Sequence, residues 1–136
     1  MSLHESAKST HYDQAAKYYD SLNEASSEST NKCIEGILQK HGVKTVLDLT
    51  CGTGSQAFWL AKKGFEVVGS DINSKMLKVA RDKNKEQGCK IKFIKGDMRT
   101  TQAGEFDAVL TIFNAVGHLT KKDFEKAMKN INKNLR

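Results

Sequence analysis

The sequence predicts an α/β protein built on a parallel sheet, and three observations carry that prediction. Short apolar runs alternate with helical periodicities along the chain, the pattern of strand–helix–strand units with right-handed crossovers. One apolar run passes through Asp48 into a glycine turn that opens directly into a helix, Val46-Leu47-Asp48-Leu49-Thr50-Cys51-Gly52-Thr53-Gly54. Acidic residues recur at the ends of the next two runs, at Asp71 and Asp97. Open parallel sheets gather their ligands at these carboxyl ends.

The first thirty residues are polar and rich in Ser and Thr, with a tyrosine-bearing helical stretch over 12–22 and a linker over 21–30. A helix over 31–41 places Cys33, Ile34, Ile37 and Leu38 on one face, and Gly42 supplies a left-handed stop. Residues 43–49 form the first strand. A helix over 55–63 carries Phe58, Trp59, Leu60 and Ala61 and ends at Gly64. Residues 65–70 form the second strand. Asn73 or Ser74 then caps a helix whose Met76, Leu77 and Ala80 share a face, and Gly88 closes it. In the third strand, 90–95, charges alternate with Ile91, Phe93 and Ile94. The fourth, 106–112, is almost purely apolar and suited to burial on both faces. Thr120 caps a last helix carrying Phe124, Met128, Ile131 and Leu135.

At 136 residues the chain is long enough for one domain with its own core. No apolar run approaches the roughly 18 residues of a membrane span, and the first ten residues have no signal-like apolar region. Cys33, Cys51 and Cys89 are odd in number and form no CxxC pair, which reads as reduced thiols in a cytoplasmic protein. The net charge of +6 is uneven: residues 1–31 carry −3 and residues 121–136 carry +4. In that last helix Lys121, Lys122, Lys126, Lys129 and Lys133 alternate with the apolar positions. That is a solvated face rather than a nucleic-acid surface, so neither nucleic acid nor membrane is expected as a partner. His4, His11, His41 and His118 are scattered, and no metal constellation appears.

The glycine turn lets backbone N–H groups approach a ligand closely. Asp71 lies 19 residues after Gly52, near the spacing of a ribose-binding carboxylate, and a carboxylate can accept from both hydroxyls of a vicinal diol. Its plainer role is to cap the following helix. Asp48, ahead of the glycines, would repel a pyrophosphate but could organise loop amides or face a cationic ligand. Asp97 can accept from an exocyclic amine and Met98 offers a soft surface to a purine, although the pair also suits an ordinary polar loop. Together these residues describe a nucleoside pocket. Gly52-x-Gly54-x-x-Ala57 with Asp71 also satisfies the dinucleotide fingerprint of an NAD(P)-dependent oxidoreductase. Asp48, the Thr50-Cys51 approach and the Asp97-Met98 pair speak against that alternative.

Taken together, the glycine-rich run 46–54, Ser70-Asp71-Ile72-Asn73, Gly96-Asp97-Met98-Arg99 and FDAVLTIFNAVGHL over 106–119 resemble the four motifs, in order, of class I S-adenosylmethionine-dependent methyltransferases. Within that family the chain is similar to the small-molecule branch that includes glycine N-methyltransferase and the aminosugar N-methyltransferases. The resemblance implies a Rossmann-like, three-layer αβα fold. Residues 1–30 would form an N-terminal lid or helical segment and 31–136 an S-adenosylmethionine-binding half-domain. It implies that Asp48, Thr50, Cys51, Gly52 and Gly54 hold the methionine end of S-adenosyl-L-methionine, and that Asp71 binds the ribose. Ile72 and Met76 would pack on the adenine, with Asp97 and Met98 contacting its edge. Phe113 and Asn114 would flank the sulfonium and the substrate, Tyr12 and Tyr19 would close over the methyl group, and His118 is a candidate base. Cys51 sits where a helix N-terminus could depress a thiol pKa, but the family pattern favours a structural role.

The implied reaction transfers a methyl group to nitrogen or oxygen of a small molecule and leaves S-adenosyl-L-homocysteine. The family's complete domain has seven strands in the order 3-2-1-4-5-7-6. Only the first four are expected here, which leaves the fourth as an exposed apolar edge. A fragment, an incomplete chain, or a second copy pairing along that edge as a homodimer would each account for this. A non-catalytic binding module that keeps the fold is the remaining alternative.

Overall fold

The structure, a computed structural model, describes residues 5–10, 13, 16, 19–112 and 115–136, with the side chains of 19–26 excepted. Helix α1 (Tyr19–Lys40) leads into β1 (Thr45–Asp48), α2 (Ser55–Lys62), β2 (Glu66–Asp71), α3 (Ser74–Glu86), β3 (Lys92–Lys95) and β4 (Ala108–Leu110). A 3-10 turn (Ala115–His118) and α4 (Lys121–Lys133) follow. The four strands form one sheet in the order β3-β2-β1-β4, and every pairing is parallel. The chain order therefore reverses between β1 and β4, which makes their carboxyl ends the topological switch point.

Successive side chains of β1 point to opposite faces. Val46 joins Leu38, Ala57, Leu60, Val67, Leu77 and Phe93 in the core beneath α1, α2 and α3. Leu47 joins Leu49 and Phe106 on the other face, where Ile131 of α4 packs. This is the expected three-layer αβα arrangement. Asn73 caps α3 by accepting from the Met76 N–H at 2.9 Å, and Thr120 caps α4 by accepting from Asp123 N–H at 3.2 Å.

Several sequence expectations need correction. Residues 21–30 are not a linker; they belong to the continuous helix α1, so the division at residue 30 falls inside one element. No Gly or Pro interrupts that stretch, Glu28 and Lys32 pair at 3.2 Å one turn apart, and Ser27, Asn31 and Leu38 form its buried stripe. Cys33 and Ile37 are exposed as a result. β4 is only three residues long, and Ala108, Val109 and Leu110 are half-buried rather than covered on both faces. Its edge is partly occupied. Phe106 N–H donates to Asn134 O at 2.8 Å and Arg136 N–H to Phe106 O at 3.1 Å, a parallel bridge between Phe106 and Leu135. On α4 and in the two residues after it, Phe124, Met128 and Leu135 are exposed, while Ala127, Asn130 and Asn134 turn inward. Their amides satisfy loop carbonyls that an apolar face could not.

A cleft at the carboxyl ends of the strands

The cleft is built from four chain segments. The first is the turn after β1. Gly52 and Gly54 adopt φ of 56° and 92°, and a Cβ at Gly52 would stand 3.2 Å from Met76 Cε. Gly54 is also the N-cap of α2, which has no side-chain cap, so the first-turn amides of that helix keep their hydrogen-bonding capacity and partial positive charge.

The second segment is the end of β2. Asp71 Oδ2 accepts from Gly52 N–H and Oδ1 from Asn73 N–H, both at 2.8 Å, and Cys51 N–H donates to Ser70 O at 2.8 Å. The glycine turn thus hangs from β2. Burial raises the Asp71 pKa above its ordinary value, against the lowering effect of the Asn73, Gly52 and Ile72 amides. Asp71 both caps the start of the α3 turn and keeps spare lone pairs for a diol.

The third segment follows β3. Asp97 and Met98 line the cleft, and Arg99 grips Asp97 with Nε at 2.9 and 3.1 Å and Nη2 at 2.6 Å. That grip holds the Asp97 carboxyl below the usual carboxylate range. The fourth segment is Ser6–Ser9, a strap that crosses the cleft. Ala7 N–H donates to His118 O at 2.9 Å at one end, and Asn73 Nδ2 donates to Ser9 O at 2.8 Å at the other.

Behind the turn lies Asp48, fully buried and outside the cleft wall, with no complete hydrogen bond to either oxygen. Desolvation, with the Asp71 charge adding to it, pushes its pKa up to about 7, and the Thr50 backbone N–H relieves this only in part. Burial also raises the Cys51 thiol well above its ordinary value, so Cys51 is not activated by the helix end.

Residues 46–136 match the family described as "Methyltransferase domain". The chain belongs to the methyltransferase family. It is 38% identical to the YqeM protein of Bacillus subtilis (strain 168) over 124 residues, 88% of this chain and 49% of that one. It is 32% identical to glycine N-methyltransferase of Oryctolagus cuniculus over 113 residues, 71% of this chain and 38% of that one. An S-adenosylmethionine-dependent methyltransferase from Clostridium acetobutylicum ATCC 824 shares the fold with a TM-score of 0.79 at 24% identity, across 92% of this chain and 53% of that one. The methyltransferase chain spans about half, or less, of the length of the curated relatives it matches. Methyltransferase membership removes the oxidoreductase alternative, and S-adenosylmethionine is the cofactor named for the Clostridium acetobutylicum neighbour.

The cleft fits that cofactor. The uncapped amides of α2 suit a carboxylate, Asp71 suits a diol, and the Thr50 hydroxyl and Gln56 amide on the cleft wall are buried polar groups without partners. Of the methyltransferase positions expected from the sequence, Thr50, Cys51, Gly52, Asp71, Ile72, Met76, Asp97, Met98 and His118 line the cleft. Asp48 and Gly54 stand behind its wall. Tyr12, Phe113, Asn114 and the side chain of Tyr19 lie outside the described residues. Sequence reasoning missed Gln56, whose buried amide is unpartnered and lines the cleft, and it gave Arg99 no role; the strap falls within residues 1–30, expected as a lid, but Ser6–Ser9 were not singled out. Gln56 carries a weak signal as a polar residue two positions after the second glycine. Ser6 carries none, because its partner Asp123 lies 117 positions away.

Proposed function

We propose that the chain forms the cofactor-binding half of an enzyme that methylates nitrogen or oxygen of a small polar molecule. The observation that carries this reading is the convergence of the glycine turn, Asp71, the 96–99 loop and the strap on one cleft at the switch point. The amides after Gly52 and the start of α2, with Asp48 beneath, hold the methionine end. Asp71 takes the ribose hydroxyls. Ile72, Met76 and Met98 enclose the adenine, with Asp97 at its edge.

When bound, S-adenosyl-L-methionine supplies an electrophilic methyl group on a positively charged sulfur. His118, which lines the cleft, would take the proton the acceptor gives up, or water would. The chain's own work is alignment and exclusion of water, so no strong acid or base is required. Tyr12, Tyr19, Phe113 and Asn114 are assigned to the methyl-transfer end of the cleft on the family pattern alone. The likeness to glycine N-methyltransferase supports a small amine as acceptor.

The same reading includes neither nucleic acid nor membrane. The last helix exposes its lysines, and no described helix is long and apolar enough to cross a bilayer. Free Cys33, Cys51 and Cys89 support a cytoplasmic setting. The β4 edge beyond the Phe106–Leu135 bridge is where a second copy would pair.

Isothermal titration with S-adenosylhomocysteine, with NAD as control, tests the reading. The former is expected to bind and NAD not to, and Asp71→Ala should weaken binding by about 1–3 kcal/mol. Equal affinity in that variant would remove Asp71 from the ribose site.

A further inference from the structure

We propose that Arg99 is a positioning residue that latches the Ser6–Ser9 strap over the cofactor cleft. The inference rests on the cleft holding the cofactor. One face of the Arg99 guanidinium is committed to Asp97, and its Nη1 donates to Asp123 Oδ2 at 2.9 Å. The same Asp123 oxygen accepts from Ser6 Oγ at 2.6 Å, and Ser6 Oγ in turn accepts from Thr120 N–H at 3.0 Å. An unbroken chain therefore runs from the adenine-side loop through Arg99 and the first turn of α4 to the strap.

Two features separate this chain from an ordinary surface ion pair. The Arg99 side chain is 31% exposed, and those of Asp97 and Asp123 are each 24% exposed, so the links are partly shielded from solvent. The planar fork of an arginine also reaches two carboxylates at once in fixed geometry, which a lysine ammonium does not reproduce.

The latch is separable from the loop it starts in. Asn130 Nδ2 donates to Met98 O at 3.0 Å and to Thr101 O at 2.8 Å, so α4 holds the 98–101 loop without Arg99. What depends on Arg99 is the placement of Asp123 under Ser6. At its far end the strap is tied independently, through Asn73 to Ser9 O and to Asp13. Loss of Arg99 thus leaves the near end of the strap held only by Ala7 N–H on His118 O and by Thr120 N–H on Ser6 Oγ, which loosens it toward the 3-10 turn and speeds ligand release.

Two readouts on the full chain test this: the dissociation rate of S-adenosylhomocysteine, and tryptic cleavage after Lys8 followed by mass spectrometry. The variants are Arg99→Lys, Ser6→Ala and the double substitution. Each single variant is expected to raise the dissociation rate about tenfold and, because a tethered backbone resists a protease even at an exposed lysine, to speed cleavage after Lys8 with and without ligand. The double variant should match the singles, because both break one chain. Ser6→Ala lies on the strap itself and keeps the test decisive where Arg99→Lys perturbs folding. Wild-type rate and Lys8 protection in Ser6→Ala, or effects that multiply in the double variant, would overturn the latch alone. Failure of the wild-type chain to bind S-adenosylhomocysteine would overturn the cleft assignment together with it.

Discussion

Asp48 is the residue at which stability and ligand binding meet. Its carboxyl is buried without complete hydrogen bonds, and its pKa in the folded chain is about 7 against an ordinary value of 3.8. Between those values the folded state holds a proton that the unfolded state has released, so stability from this group falls as pH rises from about 4 to 7 and is level above. A rise of that size corresponds to about 4 kcal/mol as an upper figure. Asp48→Asn is expected to stabilise the chain by about 1–3 kcal/mol at pH 8 and to flatten most of the decline, as urea unfolding at pH 5 and pH 8 would register. A smaller slope of the same sign should remain, because the Asp71 pKa is raised as well. Wild-type stability that does not fall between those two pH values would contradict the burial argument.

The elements were legible in the sequence wherever local chemistry sets them. Asn73, Thr120 and the glycines at 42, 64 and 88 punctuate helices as residue preference dictates. The elements that misled are those decided by distant partners. Ser and Thr residues over 21–30 suggested a linker, yet burial of Ser27 and Asn31 against the rest of the fold keeps them helical. α4 suggested an apolar face through Phe124, Met128 and Ile131; Ile131 packs on the core as expected, but Phe124 and Met128 stay exposed and Asn130 with the C-capping Asn134 completes the docking. Asn134 is fully buried; its Nδ2 donates to Thr101 O at 2.9 Å and its Oδ1 accepts from Ala103 N–H at 2.9 Å. Asn134→Ala would orphan the Ala103 N–H and leave Thr101 O with the Asn130 amide alone, with an expected loss of about 1–3 kcal/mol in chemical denaturation. Phe124→Ala, at an exposed position, should cost much less. Asp71 and Asp97 in the cleft, and Asp48 behind it, were readable for the same reason as the caps, since each ends or follows an apolar run. Arg99 and the strap act through partners far along the chain and leave no periodic trace.

At the scale of the whole molecule, β1 is the hub of the sheet, and its two neighbours differ greatly in sequence distance. Val46 pairs with Val67, 21 positions on, but its other partner, Ala108, lies 62 positions on. Closing the longer loop costs about 1 kcal/mol more in chain entropy, since the penalty grows with the logarithm of length. The β1–β2–β3 unit can therefore assemble first, with β4 docking late onto a surface already in place. In kinetic terms, Leu47→Ala in β1 should slow refolding, whereas Val109→Ala in β4 should chiefly hasten unfolding. Stopped-flow chevrons of the two variants would show which limb each one moves. Until β4 docks, the switch point does not exist, so the ligand-binding end of the sheet is the last part of the molecule to mature.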